Sequence, residues 1–93
     1  MSKKSTPPKT LSDLVSVGPA TLGDFELLGI HDLEDLKKHD ARELYERLCR
    51  ITKVRHDPCV EDVFRAAIEQ AKHPNLDPKK KQWFYWSRVR KSR

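Results

Sequence analysis

The C-terminal segment of this chain combines basic and aromatic side chains in a way that suits contact with nucleic acid. Residues 78–93 hold no Asp or Glu, and four consecutive aromatic residues, Trp83 to Trp86, lie among the bases. Lysine and arginine neutralise phosphates, and an exposed aromatic ring can stack on a base. The segment therefore predicts a phosphate contact, with Trp83 and Trp86 as candidates for stacking. Its predicted phosphate-binding residues are Lys79, Lys80, Lys81, Arg88, Arg90 and Lys91.

The same four rings also have a structural interpretation. A helix turns by about 100° per residue, so four consecutive rings spread over about 300° and cannot all face one core. Two or three of them are expected to clamp the terminal helix onto the rest of the domain, because aromatic side chains bury large areas. Both interpretations hold together if one ring stays exposed.

Cys59 is the residue whose position most resembles that of a reactive thiol. It falls at about the second position of a predicted helix, where the helix dipole and the nearby Arg55 and His56 favour a thiolate. Three neighbouring carboxylates favour the thiol instead, and these are Asp57, Glu61 and Asp62. A small, partly buried cysteine is the favoured interpretation, and thiol or redox chemistry at Cys59 is the less favoured alternative.

Metal and catalytic motifs are not evident elsewhere in the sequence. Cys49, His56, Cys59 and His73 are separated by 7, 3 and 14 residues, which matches no compact zinc-binding pattern. The sequence also lacks a serine nucleophile elbow, a phosphate-binding glycine loop and an HExxH element. We therefore predict a protein that is not an enzyme and that uses no metal and no cofactor.

Charge is distributed unevenly along the 93 residues, whose formal net charge is +5. All acidic residues lie between residues 10 and 77, and residues 1–9 carry three lysines and two prolines. Because proline blocks helix formation, residues 1–9 are predicted to be a flexible basic arm and residues 10–93 a single domain. No apolar run is long enough to cross a membrane or to act as a secretory signal, so we expect a cytoplasmic protein with two free thiols.

The elements that would position these residues are all helical. Helix starts are marked by capping side chains or by proline in the first turn, and apolar residues then follow at spacings of three and four. The sequence thus predicts an all-α fold of five or six short helices. The predicted helices begin at Thr10, Pro19, Asp32, Asp40, Pro58 and Pro78. Their apolar faces are Leu11, Leu14 and Val15; Leu22 and Phe25; Leu33 and Leu36; Ala41, Leu44, Tyr45 and Leu48; and Val60, Val63, Phe64, Ala67, Ile68 and Ala71.

Three stretches of the chain carry a resemblance to a known family. LSDLVSVGPATLGDFELLGI has the layout of a helix-hairpin-helix, in which Gly18 can accept a positive φ and Pro19 suits the first position of the second helix. With RHDPCVEDVFRAAIEQA and QWFYWSRVRK, it makes nearly the whole chain similar to the small bacterial helix-hairpin-helix proteins of the pathogenicity-locus family. The resemblance implies a helix-hairpin-helix (SAM-like) layer packed on two longer C-terminal helices.

For function, the resemblance implies a grip on the DNA backbone. In such proteins the hairpin amides and the N-terminus of the second helix hold phosphate, a role that N–H groups around Gly18, Ala20 and Thr21 would take here. Ser16 stands where the family has the first hairpin glycine, and Leu22 where it has a small alanine. We predict sequence-independent binding of duplex or single-stranded DNA, and the alternative is a protein interaction adaptor whose hairpin only packs helices. The predicted hairpin contacts are Ser16, Val17, Gly18, Pro19, Ala20 and Thr21.

Overall fold

The structure is a computed structural model that describes residues 9–92. Within this range the chain forms five α-helices, two 3-10 turns and no strand, so the all-α prediction is confirmed. The predicted basic arm, apart from Lys9, and the terminal Arg93 lie outside the described residues. The 3-10 turns cover Leu11–Asp13 and Pro78–Lys81, and the helices are α1 (Pro19–Leu28), α2 (Leu33–Lys37), α3 (Ala41–Thr52), α4 (Cys59–Lys72) and α5 (Trp83–Lys91). Of these helices, none has the length and apolar character needed to cross a membrane.

Capping groups close in sequence fix most of the helix starts at the predicted places. The Asp40 carboxylate accepts from the amides of Arg42 and Glu43 at 3.1 and 3.3 Å. The Glu43 carboxylate in turn accepts from the amide of Asp40 at 3.4 Å, which completes a capping box for α3. Helix α1 begins instead with Pro19 and ends at Gly29, whose φ of 78° is a left-handed conformation that glycine adopts at little cost.

Helix α4 lies at the centre of the fold and packs against α2, α3 and α5. The ring of Phe64 on α4 stacks on that of Phe25 on α1, with 5.5 Å between the ring centroids. Both rings are fully buried, as aromatic side chains that dominate a small core must be. The predicted apolar face of α3 and most of that of α4 therefore lie in the core, whereas Val60 is half-buried against it and Val63 is half-buried and not part of it. The other core members are Leu11, Leu14, Leu28, Ile30, Leu36, Ala41, Leu44, Tyr45, Leu48, Ala67, Ile68 and Ala71.

The first predicted helix is shorter than its apolar pattern indicates. Only the turn Leu11–Asp13 forms, because Leu14 already has an extended backbone with a ψ of 139°. Leu11 and Leu14 are buried as expected, whereas Val15 is 37% exposed and does not belong to the core. The chain thus leaves the helical conformation before it enters the hairpin.

The last predicted helix is interrupted after the three lysines. Gln82 has an extended backbone with a ψ of 133°, so Pro78–Lys81 is a separate turn and α5 begins at Trp83. In a continuous helix the amide of Trp83 would donate to Lys79, but it donates to the side chain of Ser16 at 3.1 Å. Helix α5 therefore has only nine residues. Of the two C-terminal helices that were predicted to be longer, only α4, with 14 residues, is longer than the helices that precede it.

A partly buried ion pair between Arg90 and Asp62 fastens α5 to α4. The guanidinium of Arg90 donates to both carboxylate oxygens of Asp62, with distances of 3.0, 3.3 and 2.9 Å. The side chain of Asp62 is only 3% exposed and that of Arg90 is 25% exposed. Such a two-point contact fixes the geometry of both groups and raises the pKa of Arg90 further.

Candidate nucleic-acid interface

Ser16 adopts the strained backbone conformation of the hairpin. Its φ is 74°, whereas Gly18 has a φ of −109° and an extended backbone that any residue can adopt. The expectation that Gly18 accepts the positive φ is therefore wrong. A left-handed conformation raises the free energy of a serine, and the contacts of its side chain must offset this cost.

The side chain of Ser16 joins the hairpin to the C-terminal segment. Its hydroxyl donates to the backbone carbonyl of Lys81 at 3.1 Å and accepts from the amide of Trp83, also at 3.1 Å. These two hydrogen bonds span 65 and 67 residues of sequence. The two segments that the sequence marks for phosphate contact, the hairpin and the lysine turn, are thereby brought side by side.

Gln70 on α4, which the sequence analysis did not single out, binds the main chain of Val15 just before the hairpin. Its side-chain amide accepts from the backbone N–H of Val15 at 2.9 Å and donates to the carbonyl of the same residue at 2.8 Å. It also donates to the carbonyl of Ala66 at 3.1 Å, and it is only 3% exposed. A buried amide that makes three hydrogen bonds fixes where Val15 lies relative to α4.

The start of α1 presents backbone donors next to this junction. Within residues 9–92 the amides of Gly18, Ala20 and Thr21 have no acceptor, as is usual for the first turn of a helix. The positive end of the α1 dipole lies behind them, which favours an anion. The hairpin itself carries no lysine or arginine, whereas the turn bonded to Ser16 carries three lysines, of which Lys79 and Lys80 are exposed and Lys81 is half-buried.

The aromatic residues are divided between packing and exposure, although not in the way predicted for stacking. The indole N–H of Trp86 donates to the carbonyl of Lys80 at 2.7 Å, and the guanidinium of Arg65 lies 5.3 Å from the centre of its ring. Trp83 is half-buried and contacts Phe84 edge to face. Phe84 is the exposed ring, at 48%. Trp86 thus serves to fasten α5, and Arg65 is a partner that the sequence did not reveal.

The basic residues of α5 do not form one group. Arg88 and Lys91 are exposed on the outer side of the helix, where they are available to a phosphate. Arg90 faces α4 and is held by Asp62, so its charge is already compensated. The structure therefore bonds the main chain of Lys81 to the hairpin and takes Arg90 into the fold. It leaves Lys79, Lys80, Arg88 and Lys91 exposed to solvent.

Cys59 is held as a thiol by its surroundings. A hydrogen bond to the Asp57 carboxylate is the main cause that raises the pKa of Cys59, and partial burial raises it further. The Asp57 carboxylate also accepts from the amide of Cys59 at 2.9 Å, which caps α4. Because the thiolate is the nucleophile, this arrangement disfavours thiol chemistry at neutral pH.

Cys59 should accordingly react slowly with iodoacetamide at pH 8. Asp57→Asn keeps a capping side chain but removes the negative charge, so the pKa of the thiol falls and alkylation accelerates by about threefold to tenfold. Mass spectrometry of the Cys59 peptide over time measures this rate. The Cys49 peptide of the same sample is the control, and equal acceleration at both thiols would contradict the assigned cause.

No group of three or more His, Cys, Asp or Glu side chains within the described part of the chain could hold a metal ion. The fold and the junction around Ser16 define a small all-α protein whose N-terminal hairpin is bonded to a basic, aromatic C-terminal segment. The chain belongs to the Cdd1 pathogenicity-locus family, whose profile matches residues 4–92, so the resemblance seen in the sequence is confirmed.

A named relative comes from Streptomyces lavendulae, where it is called mitomycin resistance protein McrB. It is 35% identical to this chain over 81 residues, which cover 87% of this chain and 73% of the relative. No solved structure matches this chain. Because the alignment with the Streptomyces protein covers 81 of the 93 residues, it includes the hairpin and most of the helices.

Proposed function

We propose that this protein binds the backbone of nucleic acid without reading its sequence and without catalysing a reaction. The hairpin amides at the start of α1 contact one phosphate, and the lysines of the neighbouring turn contact others. Phosphate contacts fix the position of a protein on nucleic acid and carry no sequence information. Binding should therefore be strongly dependent on salt.

The observation that carries this proposal is the pair of hydrogen bonds from the Ser16 hydroxyl to Lys81 and Trp83. They join the residue that lies two positions before the N-cap of α1 to the main chain at the end of the turn that carries three consecutive lysines. A helix start attracts anions, and lysines neutralise phosphates. Asp13 lies nearby in the sequence, but its carboxylate accepts from the amides of Lys9 and Thr10, both at 3.0 Å. These hydrogen bonds hold the carboxylate at the start of the first turn and lower the pKa of Asp13, so it stays ionised.

Thr21→Asp tests the hairpin half of the proposal. The new carboxylate lies in the first turn of α1, where it suits the helix dipole but competes with phosphate for the free amides. We expect an unchanged thermal midpoint, affinity for a short DNA duplex about tenfold lower, and a plot of log affinity against log salt shallower by about 0.9. Fluorescence anisotropy at several salt concentrations measures both quantities.

Thr21→Asn is the matched control, because asparagine has the shape of aspartate without its charge. It should bind DNA with nearly the affinity and salt dependence of the unaltered chain. If the Asp variant binds as tightly as the Asn variant and with the same salt dependence, the hairpin does not contact phosphate. The interaction adaptor would then be the better account of this surface.

The similarity to the Streptomyces protein extends the proposal to mitomycin resistance. We expect expression of this chain to raise the survival of a mitomycin-sensitive bacterium, as measured by colony counts on increasing drug concentrations. If protection acts through nucleic-acid binding, Thr21→Asp should protect less well than Thr21→Asn at equal expression. Equal protection by the two variants would separate resistance from the hairpin.

A further inference from the structure

The outer face of α5 carries an aromatic ring in line with basic side chains. Phe84, Arg88 and Lys91 follow each other at spacings of four and three, which places them on one side of the helix. All three are exposed, whereas Ser87 is buried and Arg90 faces α4 through Asp62. The stripe therefore points away from the fold and is available to a ligand.

Phe84 is distinct among the aromatic residues of the described chain, since its side chain is exposed while the other rings are buried or half-buried. The other large exposed apolar side chains, Val15, Leu27, Ile51 and Val54, are aliphatic. Trp83 contacts Phe84 edge to face at 6.0 Å between centroids, which restricts the ring while leaving it open to solvent. Covering an exposed apolar ring with another flat, apolar surface lowers the free energy of the complex.

The surroundings of Phe84 indicate the charge of that surface. Residues 78–92 contain no Asp or Glu, and the ring lies on the residue after Trp83, whose amide is bonded to Ser16. The lysine turn precedes it, and Arg88 follows one helical turn later. A ligand with alternating anionic groups and flat rings fits this order, and single-stranded nucleic acid has that chemistry.

We propose that Phe84 is a stacking platform for an unpaired base, so that this surface prefers single-stranded nucleic acid over duplex. The inference rests on the proposed function, which supplies the phosphate contacts. It assigns stacking to Phe84 in place of Trp83 and Trp86, because the Trp86 ring has Arg65 over it and Trp83 is half-buried. In a duplex the bases are stacked on each other and do not offer a free face to the ring.

The experiment compares the full chain with Phe84→Ala, Phe84→Leu and Phe84→Trp. Each protein is titrated against fluorescein-labelled oligo-dT of about 16 nucleotides and against a duplex of the same length, at several salt concentrations. We expect the Ala and Leu variants to bind oligo-dT about 5-fold to 100-fold more weakly, with unchanged salt slopes and duplex affinities changed by less than about twofold. Phe84→Trp should retain the single-strand affinity, because it keeps an aromatic face.

Phe84→Leu separates stacking from apolar burial, and Leu27→Ala controls for loss of an exposed apolar side chain elsewhere. A leucine variant that binds oligo-dT normally would overturn the stacking role, as would equal weakening for both DNAs. If the unaltered chain binds duplex and oligo-dT but Phe84→Ala changes neither affinity, the inference fails while the proposed function stands. If the unaltered chain binds neither DNA, both fail.

A cross-linking measurement locates the base directly. Oligo-dT carrying one bromodeoxyuridine should form a photochemical cross-link to the residue on which that base stacks. Mass spectrometry is expected to place the adduct on Phe84. An adduct on Trp83 or Trp86 would overturn the assignment of the platform.

Discussion

Arg90→Met is expected to leave the buried Asp62 carboxylate without its partner and to lower the free energy of unfolding by about 3 kcal/mol. The carboxylate is 3% exposed, so water cannot replace the two-point contact that the guanidinium makes with it. A domain of this size has a total stability of about 5–15 kcal/mol, so the variant should still fold. Urea denaturation followed by circular dichroism measures the change.

The double variant Asp62→Leu with Arg90→Met supplies the internal test. It removes both charges and fills part of the space with apolar atoms, so it should be more stable than Arg90→Met alone. Arg88→Met, on the exposed side of the same helix, is the surface control and should change stability by less than about 0.5 kcal/mol. If Arg90→Met unfolds at the same urea concentration as Arg88→Met, the ion pair does not fasten α5.

The same pair bears on the assignment of binding residues. Sequence reasoning grouped Arg90 with Arg88 and Lys91, because all three lie in a basic tail without acids. The partner of Arg90 is Asp62, which lies 28 residues earlier on α4. No local sequence pattern predicts this ion pair. The folded double variant is accordingly expected to keep its DNA affinity.

Local signals explain why the helix starts could be predicted. A capping box such as that of Asp40 and Glu43 acts over three residues, so the sequence contains both partners within one window. The apolar spacing of α3 and α4 is likewise local, and it identified the buried faces. The exposure of Phe84 was also within reach, since Arg88 and Lys91 at spacings of four and seven mark the solvent side of α5.

Long-range hydrogen bonds explain what could not be predicted. The helix is interrupted at Gln82, where the Trp83 amide donates to Ser16, 67 residues away in sequence. The local sequence pattern of residues 78–91 predicts one continuous helix through that point. The same bonds assign the positive φ to Ser16 rather than to Gly18. Gln70 could have drawn notice as a polar residue directly before Ala71 on the buried side of α4, but its partner Val15 could not.

Replacing Lys79, Lys80 and Lys81 together with glutamine is expected to cause the largest loss of DNA affinity. If each lysine engages one phosphate, the plot of log affinity against log salt becomes shallower by about 2.7, and affinity at about 0.1 M salt falls by a factor on the order of 10² to 10³. The fold should be retained, because the contacts of this turn use main-chain atoms. The carbonyl of Lys80 accepts from Trp86 and that of Lys81 from Ser16, and glutamine preserves both.

This separation of side chain from main chain makes the triple variant more informative than a deletion of the C-terminal segment, which would remove charge and packing at once. A control variant with the same loss of charge replaces Lys37, Lys38 and Arg50, which lie on α2 and α3 or directly after α2, with glutamine. Its salt dependence should change much less, because diffuse charge contributes less than direct phosphate contacts. Equal losses in the two triple variants would mean that net charge, and not the lysine turn beside the hairpin, determines binding.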